Sequence, residues 1–349
     1  MTRRNLEEEL ALVHEMPMSF NALVIEYTSR CNAKCAMCYQ AAGPQGSDLI
    51  GKATLDVQTA ERVIREAIEI ETVAPRCHIT GGEGFLNAGT LLHLVGVARD
   101  VGFADVTTTT NGFWARDPAH GVAMAARARK AGMTSMEISW DYWHEPYISA
   151  DAVSNSLEAC FDAGIEANLR ILSSRSHSYA DALRGLRPDV LELVGRITCA
   201  PVMPTGRGAT EVPPGDVYAQ GTLDDSCHGM LNLTVNARGS VSPCCSGLDQ
   251  IAEQLFGNVT ERPLREIVEA LDRSLLARVL VFRGVGALAT MIEETGVRVD
   301  GRYTSICHQC WSMFSDTTMI LALEDALQRR RELGLQRALD GMRQHVVTA

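Results

Sequence analysis

Segments that favour strands alternate with segments that favour helices through residue 201, and this alternation constrains the fold more than any other feature. The strand-like runs are apolar or β-branched, and stretches with helical periodicity separate them. Six repeats predict an α/β fold, a partial (β/α)6 barrel of parallel strands with the functional residues at the strand ends. The predicted strands are 21–27, 77–80, 105–110, 134–140, 165–172 and 195–201, and the predicted helices are 56–71, 88–101, 119–131, 151–163 and 179–187.

The alternation ends at a segment rich in proline and glycine, residues 204–222. Beyond it, apolar and polar residues alternate on both sides of Asn236–Gly239, which predicts a β-hairpin. Helical periodicity follows at about 262–283 and 317–343. We therefore expect two domains, a partial barrel at residues 1–210 and a small domain of hairpin and helices at residues 211–349.

Charge and hydropathy exclude several classes of protein. The formal net charge is −11 and no cluster of Lys and Arg stands out, whereas a nucleic-acid binder needs a basic face. No stretch approaches the ~18 uncharged apolar residues of a membrane helix. Acidic residues interrupt the apolar pattern of residues 1–16, which a signal peptide does not show. We expect a cytoplasmic protein that binds neither nucleic acid nor membranes.

Three of the eleven cysteines lie close together after the first predicted strand. The odd total without a secretory signal argues against a disulfide framework, so we expect metal ligation instead. Cys31, Cys35 and Cys38 have the spacing C-x3-C-x2-C, which can hold three corners of a 4Fe–4S cluster and leave one iron open. A zinc site is the alternative, and it needs a fourth ligand. Three other cysteines fall in predicted strands or helices and are expected to be buried: Cys77, Cys160 and Cys199.

This cysteine motif, followed by the aromatic Tyr39 on a loop after the first strand, resembles that of the radical S-adenosylmethionine (SAM) superfamily. The resemblance implies a cluster on Cys31, Cys35 and Cys38 that cleaves SAM reductively. The resulting 5′-deoxyadenosyl radical abstracts a hydrogen atom from a substrate. It also implies that Tyr39 belongs to the cofactor site, and that a flavodoxin or ferredoxin supplies the electron.

Further motifs at successive strand ends resemble those of the family and occur in the family's order. Gly81, Gly82 and Glu83 match the GGE motif that contacts the amino group of SAM. Glycine lets a backbone approach a ligand closely, and a carboxylate accepts hydrogen bonds from an ammonium group. A plain turn at a strand end is the alternative. The resemblance implies further SAM contacts by Asn111, Ser139, Arg170, Pro204 and Arg207, although Arg170 could instead be a solvated charge at a strand end.

Asp141 and His144 follow the fourth predicted strand, where the family places the SAM ribose and the substrate. We therefore expect both to be catalytic residues that form hydrogen bonds or transfer a proton at the substrate. For His144 the alternative is a polar residue in a loop with aromatic neighbours.

A second set of cysteines lies in the tail. Cys227 and Cys244 flank the predicted hairpin as C-x11-G-x4-C, which resembles the start of a SPASM or twitch domain, and Cys307 and Cys310 follow. Four thiolates complete one auxiliary 4Fe–4S cluster with no open iron, and a zinc ribbon is the alternative. Cys245 could replace Cys244, be buried, or act as a thiol near the substrate.

Three functions remain open from the sequence. We expect a small-molecule substrate of sugar, aminocyclitol or nucleoside type, with the auxiliary cluster as an electron acceptor. Modification of a ribosomally made peptide is the alternative. It is less favoured because the first cluster motif begins at residue 31, which leaves no room before it for a peptide-binding domain. The non-enzymatic alternative is an iron–sulfur electron carrier.

Overall fold

A computed structural model describes residues 17–251 and 255–347, with side chains described up to residue 332. The prediction about residues 1–16 lies outside the described residues. Eight strands form one sheet in the order β6-β5-β4-β3-β2-β1-β7-β8. They are β1 Leu23–Glu26, β2 Arg76–Thr80, β3 Asp105–Thr110, β4 Ser135–Ser139, β5 Glu166–Ser173, β6 Arg196–Pro201, β7 Leu233–Val235 and β8 Val241–Ser242.

The first six strands are parallel neighbours in chain order, and the sheet does not close. In β1, Leu23 and Ile25 are fully buried, and in β3 the fully buried Val106 and Thr108 alternate with the half-buried Thr107 and Thr109. The fully buried side chains form a core with the helices, and this packing confirms the predicted α/β partial barrel. The connecting helices are α1 Val57–Ile68, α2 Ala88–Asp100, α3 Pro118–Ala131, α4 Ala150–Asp162, α5 Tyr179–Arg184 and α6 Pro188–Leu191.

The first five of these helices begin at a side-chain cap that the sequence supplies. In each, the capping oxygen accepts a backbone N–H three residues later, which satisfies one donor that the helix cannot pair itself. The capping residues are Asp56, Asn87, Asp117, Ser149 and Ser178. Because these signals are local, they are consistent with predicted helix bounds that agree with the observed ones within a few residues.

The predicted hairpin exists, but it joins the barrel sheet instead of standing apart from it. Strand β7 pairs with β1 in parallel, with Leu233 beside Leu23 and Val235 beside Ile25, and β8 pairs with β7 antiparallel. The hairpin therefore extends the barrel sheet beyond its first strand. The domain division at residue 210 stays a prediction.

The tail contains more helices than predicted. They are α7 Gly208–Glu211, α8 Leu248–Ile251, α9 Leu264–Arg273, α10 Leu275–Arg278, α11 Val285–Glu293, α12 Ile306–Ser315 and α13 Thr317–Val347. The helical stretch predicted over about 262–283 is interrupted at Ser274, because Ser274 has extended backbone and its hydroxyl caps α10 by accepting from the Ala277 N–H. A π-helical turn, Val279–Arg283, then leads to α11.

Two of the three cysteines expected to be buried are buried, Cys77 and Cys160. The expectation for Cys199 is wrong, since its thiol is exposed on β6 at the edge of the sheet. In the part of the chain that the structure describes, every helix is too short or too polar to cross a membrane.

Candidate active site

The three cysteines of the first motif lie on the loop between β1 and α1, at the carboxyl end of β1. Burial raises the pKa of the Cys31 thiol to about 12, and it also raises the pKa of Cys35 and Cys38. A negative charge on Cys38 raises the pKa of Cys31 and Cys35 further, so the three thiols interact electrostatically. The positive charge of the Arg207 guanidinium lowers the pKa of all three thiols and so offsets part of the increase.

Buried thiols that repel one another as thiolates are stable in the ionised form only beside a strong positive charge. A metal cluster supplies such a charge and deprotonates the cysteines that bind it. The donor set at Cys31, Cys35 and Cys38 therefore fits an iron–sulfur cluster. Asn111 adds a weak contact, because its amide lies 3.9 Å from the Cys31 sulfur.

The two glycines at the end of β2 allow a close backbone approach, but the approach is to the cysteine loop. A Cβ on Gly81 would lie 2.5 Å from the Thr28 carbonyl oxygen, and one on Gly82 would overlap the Arg30 carbonyl oxygen. In this arrangement the Gly82 N–H donates to Thr28 O at 2.7 Å, and the Glu83 N–H donates to Arg30 O at 2.8 Å. Glycine at these positions thus lets the end of β2 dock against the residues that precede Cys31.

The Glu83 carboxylate is buried and connects the ends of β2 and β3. It accepts hydrogen bonds from the Asn111 N–H at 2.8 Å, from the Phe85 N–H at 3.0 Å and from the Thr110 hydroxyl at 3.0 Å. Burial nevertheless raises its pKa to about 7, and the positive charge of a protonated His144 would lower it. The carboxylate therefore gains from any cation that binds nearby, such as the ammonium group of an amino acid.

Asp141 and His144 form a buried pair after β4. Asp141 accepts from the His144 Nδ1 at 2.7 Å, from the Trp143 N–H at 3.1 Å and, through its other oxygen, from the Leu172 N–H at 3.1 Å. Because a carboxylate can only accept, the proton of this His144 contact lies on Nδ1 and leaves Nε2 as the outward nitrogen. Asp141 thereby holds the ends of β4 and β5 together and orients the imidazole.

The remaining residues expected at SAM lie on β4 and β5 and in the loop after β6. Ser139 on β4 is in register with Arg170 on β5, and the Arg170 guanidinium is 4.0 Å from the Glu137 carboxylate. The Arg170 side chain is 39% exposed, so most of its hydrogen-bonding capacity stays available. Pro204 lies in the loop after β6, two residues before Gly206.

Arg207 packs against the cysteine loop. Its buried guanidinium donates to the carbonyl oxygens of Cys35 at 2.9 Å and Ala42 at 2.9 Å, to that of Ala41, and to the Asp48 carboxylate at 2.9 Å. Its own N–H donates to Cys38 O at 3.0 Å. The side chain is thus occupied with supporting the loop, and direct contact of Arg207 with SAM stays a prediction.

Tyr39 points its hydroxyl towards the end of β1, where it donates to the Glu26 carboxylate at 2.8 Å. The Gln250 amide donates to the other Glu26 oxygen at 3.0 Å, so Glu26 links the cysteine loop to the tail. Burial, with the nearby charge of Asp249 as the next cause, raises the pKa of Glu26 to about 8. Our sequence reasoning missed Glu26, although a carboxylate in an otherwise apolar strand was a visible signal.

The second set of cysteines converges from three places in the tail. Cys227 precedes β7, Cys244 follows β8, and Cys307 and Cys310 lie three residues apart on one face of α12. Burial raises the pKa of all four thiols, and a charge on Cys244 raises the pKa of the other three. The four thiols therefore share one region, and their charges need a common positive partner.

Cys245 points elsewhere. Its sulfur accepts a hydrogen bond from the Asn232 amide at 3.6 Å. Burial raises the pKa of the Cys245 thiol, and the negative charges of Cys244 and then Glu26 raise it further. This placement favours Cys244 as the cluster ligand and puts the Cys245 thiol towards the end of β1.

Comparisons with known proteins cover the regions that hold both sets of cysteines. The radical SAM superfamily matches residues 25–187, and the SPASM family, an iron–sulfur cluster-binding domain, matches residues 227–311. The first region contains Cys31, Cys35 and Cys38, and the second begins at Cys227 and ends one residue after Cys310.

Individual relatives are distant. YydG of Bacillus subtilis, provisionally named a peptide biosynthesis protein, is 22% identical over 307 residues, which are 85% of this chain and 92% of YydG. The GTP 3′,8-cyclase of Rhodopirellula baltica is 28% identical over 190 residues, which are 51% of this chain and 49% of the cyclase. The solved structure of native anSMEcpe with bound AdoMet has a TM-score of 0.50 at 13% identity, over 87% of this chain and 98% of that one, which is a likeness of fold alone.

The matched regions, the partial barrel and the two sets of buried thiols agree on the cofactors, namely a 4Fe–4S cluster with SAM and an auxiliary iron–sulfur cluster. The chain therefore belongs to the radical SAM superfamily of enzymes and carries a SPASM iron–sulfur domain at its carboxyl end.

Proposed function

We propose that this protein is a radical SAM enzyme that modifies a peptide. The observation that carries this proposal is the match to YydG, which extends over 92% of that protein and includes the tail as well as the barrel. The match to the GTP cyclase covers only about half of either chain. The comparisons therefore favour peptide modification over the small-molecule substrate that the sequence led us to expect.

In this proposal Cys31, Cys35 and Cys38 hold the cluster that binds SAM. When bound, this cluster supplies the electron that cleaves SAM to methionine and the 5′-deoxyadenosyl radical, which abstracts a hydrogen atom from the peptide. Arg207 keeps the loop in place through hydrogen bonds to four backbone carbonyls and to the Asp48 carboxylate. Tyr39 does so through its hydrogen bond to Glu26.

The strand ends orient SAM. Glu83 is the partner for its ammonium group, because its buried carboxylate lies at the end of β2, which docks against the residues before Cys31, and its raised pKa means that a nearby cation stabilises the ionised form. Asn111, which approaches the Cys31 sulfur, completes that side of the site. Across the barrel, Ser139 and Arg170 are available for the carboxylate and ribose, and Pro204 flanks the adenine.

His144 acts at the substrate, with Asp141 as the residue that positions it. The hydrogen bond from Nδ1 to Asp141 leaves Nε2 free to accept or donate at a bound peptide. The low exposure of the pair, 8% for His144 and 1% for Asp141, keeps water from competing for the imidazole. In the tail, Cys227, Cys244, Cys307 and Cys310 hold the auxiliary cluster.

The test uses the reconstituted protein under anaerobic conditions with SAM, dithionite and short peptides encoded beside its gene. The peptides carry deuterium on their Cα and Cβ atoms. We expect one peptide to stimulate 5′-deoxyadenosine formation, to pass deuterium into that product, and to change in mass. A Cys31→Ala variant is the control, in which both products disappear. Deuterium transfer from a nucleoside or aminocyclitol, with none from any peptide, would contradict the proposal.

A further inference from the structure

We propose that the outer edge of β6 binds the peptide substrate as an added strand of the barrel sheet. The inference rests on the proposed function, because it takes a peptide as the substrate. We call the outward-facing backbone groups of residues 197–201 the open edge.

The two edge strands of the sheet differ in what lies beside them. Outside β8, the Val241 N–H donates to the Gly257 carbonyl oxygen at 2.9 Å, and the Val259 N–H donates to Gly239 O at 2.8 Å. Strand β6 pairs only with β5, and within residues 17–251 and 255–347 no hydrogen bond reaches its outer side. An exposed edge of this kind is a template for another strand.

The pairing with β5 determines which backbone groups of β6 face outwards. In a parallel ladder, alternate residues point both backbone groups at the same neighbour. The Val202 N–H donates to β5 at 2.8 Å, and the Ala200 carbonyl oxygen accepts from a β5 hydroxyl at 3.5 Å. Ile197 and Cys199 therefore direct their N–H and C=O outwards. Pro201 fits this assignment, because proline occurs in a sheet where its missing N–H would face away from the ladder.

The side chains beside the open edge leave room for a strand. Ile197 is 40% exposed, and Cys199 and Pro201 are exposed as well. The strand carries no charge between Arg196 and its end at Pro201, whereas charged side chains are a common means of keeping a second strand away from an edge. An extended peptide therefore gains main-chain hydrogen bonds at residues 197 and 199 and apolar contact with the Ile197 side chain.

The register of the sheet places an added strand beside the site already described. Thr198 pairs with Arg170, and Arg170 pairs with Ser139. Paired residues of neighbouring strands project their side chains from the same face of the sheet. Because strands lie about 4.8 Å apart, a peptide residue opposite Thr198 is about 10 Å from Arg170 and faces the same side. The row that holds the proposed SAM contacts thus continues into the peptide.

The carboxyl end of β6 leads towards both sets of cysteines. Just past this end, the Met203 sulfur accepts from the Ser305 hydroxyl at 3.2 Å, two residues before Cys307. Farther along the chain, the Arg207 N–H donates to Cys38 O at 3.0 Å. A peptide that follows β6 beyond its end is therefore directed towards both cysteine regions.

The experiment measures how the synthetic peptides encoded beside the gene, labelled with fluorescein, bind to the reconstituted protein with SAM. The test variant is Cys199→Pro, which removes an outward N–H and leaves the ladder with β5 unchanged. The matched control is Cys199→Ala, which removes the thiol and keeps the N–H. Amide hydrogen exchange at Ile197 and Cys199 and the iron content of each protein are measured as well.

We expect Cys199→Pro to bind peptide at least about tenfold more weakly, because a main-chain hydrogen bond is lost and the proline ring blocks the edge. Cys199→Ala should bind within about twofold of wild type, because it keeps that hydrogen bond. Amide exchange at Ile197 and Cys199 is expected to be fast in the free protein and slow once the peptide is bound.

A second measurement uses the wild-type protein, so it holds even if Cys199→Pro loses iron. Peptides are N-methylated at one residue at a time. Methylation should weaken binding about tenfold at every second residue of the added strand, where the N–H faces β6, and have little effect at the residues between.

The inference would be overturned by equal peptide binding of Cys199→Pro and Cys199→Ala, or by N-methylation effects without the two-residue alternation. Slow exchange at Ile197 and Cys199 in the free protein would also overturn it, since the chain itself or a second copy would then cover the edge. A peptide that reacts without protecting these amides removes the inference and leaves the proposed function intact. A peptide that protects them without reacting does the opposite, and failure of every peptide to bind removes both.

Discussion

Replacing Arg207 with methionine removes the charged support of the cysteine loop while it keeps most of the side-chain volume. The guanidinium side chain is 2% exposed. It donates to three backbone carbonyls of the loop, those of Cys35, Ala41 and Ala42, and to the Asp48 carboxylate. Methionine can make none of these contacts, since a thioether has no donor.

The cost follows from the acceptors left behind. A buried acceptor without a partner costs about 1–3 kcal/mol, and this applies to the Ala42 carbonyl. The Cys35 and Ala41 carbonyls keep the N–H groups of Cys38 at 3.2 Å and Asp48 at 3.0 Å, so each loses one hydrogen bond, worth about 0.5–1.5 kcal/mol. Asp48 is 52% exposed and regains water, so the loss of the ion pair adds little. Water that enters at the exposed edge recovers part of this cost, which leaves a destabilisation of about 2–5 kcal/mol, in the range for breaking a buried ion pair. Folded domains are stable by about 5–15 kcal/mol, so the loop opens before the barrel unfolds.

The assay combines urea unfolding of the metal-free protein with iron analysis after anaerobic reconstitution. We expect Arg207→Met to unfold at lower urea and to lose about four irons per chain while it keeps the auxiliary cluster. Arg207→Lys retains the charge without the planar fork and should fall between. Arg329→Met is the matched control, because its side chain is 61% exposed and pairs with Asp325 on the same helix, so the change should be under about 1 kcal/mol. An Arg207→Met protein with full iron and an unchanged urea midpoint would refute this reasoning.

The remaining predictions concern the cofactor sites. With a pKa of about 7, Glu83 is about 9% ionised at pH 6 and about 76% ionised at pH 7.5. The affinity for SAM, measured by titration, should therefore rise up to about eightfold between pH 6 and pH 7.5. In Glu83→Gln the affinity should not depend on pH over this range. Cys244→Ala should lose about four irons per chain by metal analysis, whereas Cys245→Ala should keep them. Asp141→Asn should lower the free energy of unfolding by about 1–3 kcal/mol, because an amide oxygen replaces a carboxylate that accepts three N–H groups. His144→Asn, whose Nδ2 can keep the hydrogen bond to Asp141, should instead keep most of its stability and slow peptide product formation about 100-fold or more, and an unchanged rate would contradict the role of His144 at the substrate.

The sequence alone determined the features that depend on local chemistry. The order of strands and helices followed from periodicity. The structure adds that side chains such as Asp56 and Ser149 cap the helices and so fix where they begin. The cysteine spacings pointed to two clusters, because ligands on one loop or one helical turn are close in any fold that the loop adopts. These signals act over a few residues, so they are readable without knowing the rest of the chain.

Contacts between distant segments were decided only by the tertiary structure. Nothing near Arg207 in the sequence indicates that its guanidinium supports carbonyls more than 160 residues away. The same holds for Gly81 and Gly82, whose missing side chains make room for the backbone of Thr28 and Arg30. The parallel pairing of β7 with β1 and the choice between two adjacent cysteines also depend on which surfaces meet. Such choices arise from packing and burial, which depend on the whole chain, and local patterns therefore cannot specify them.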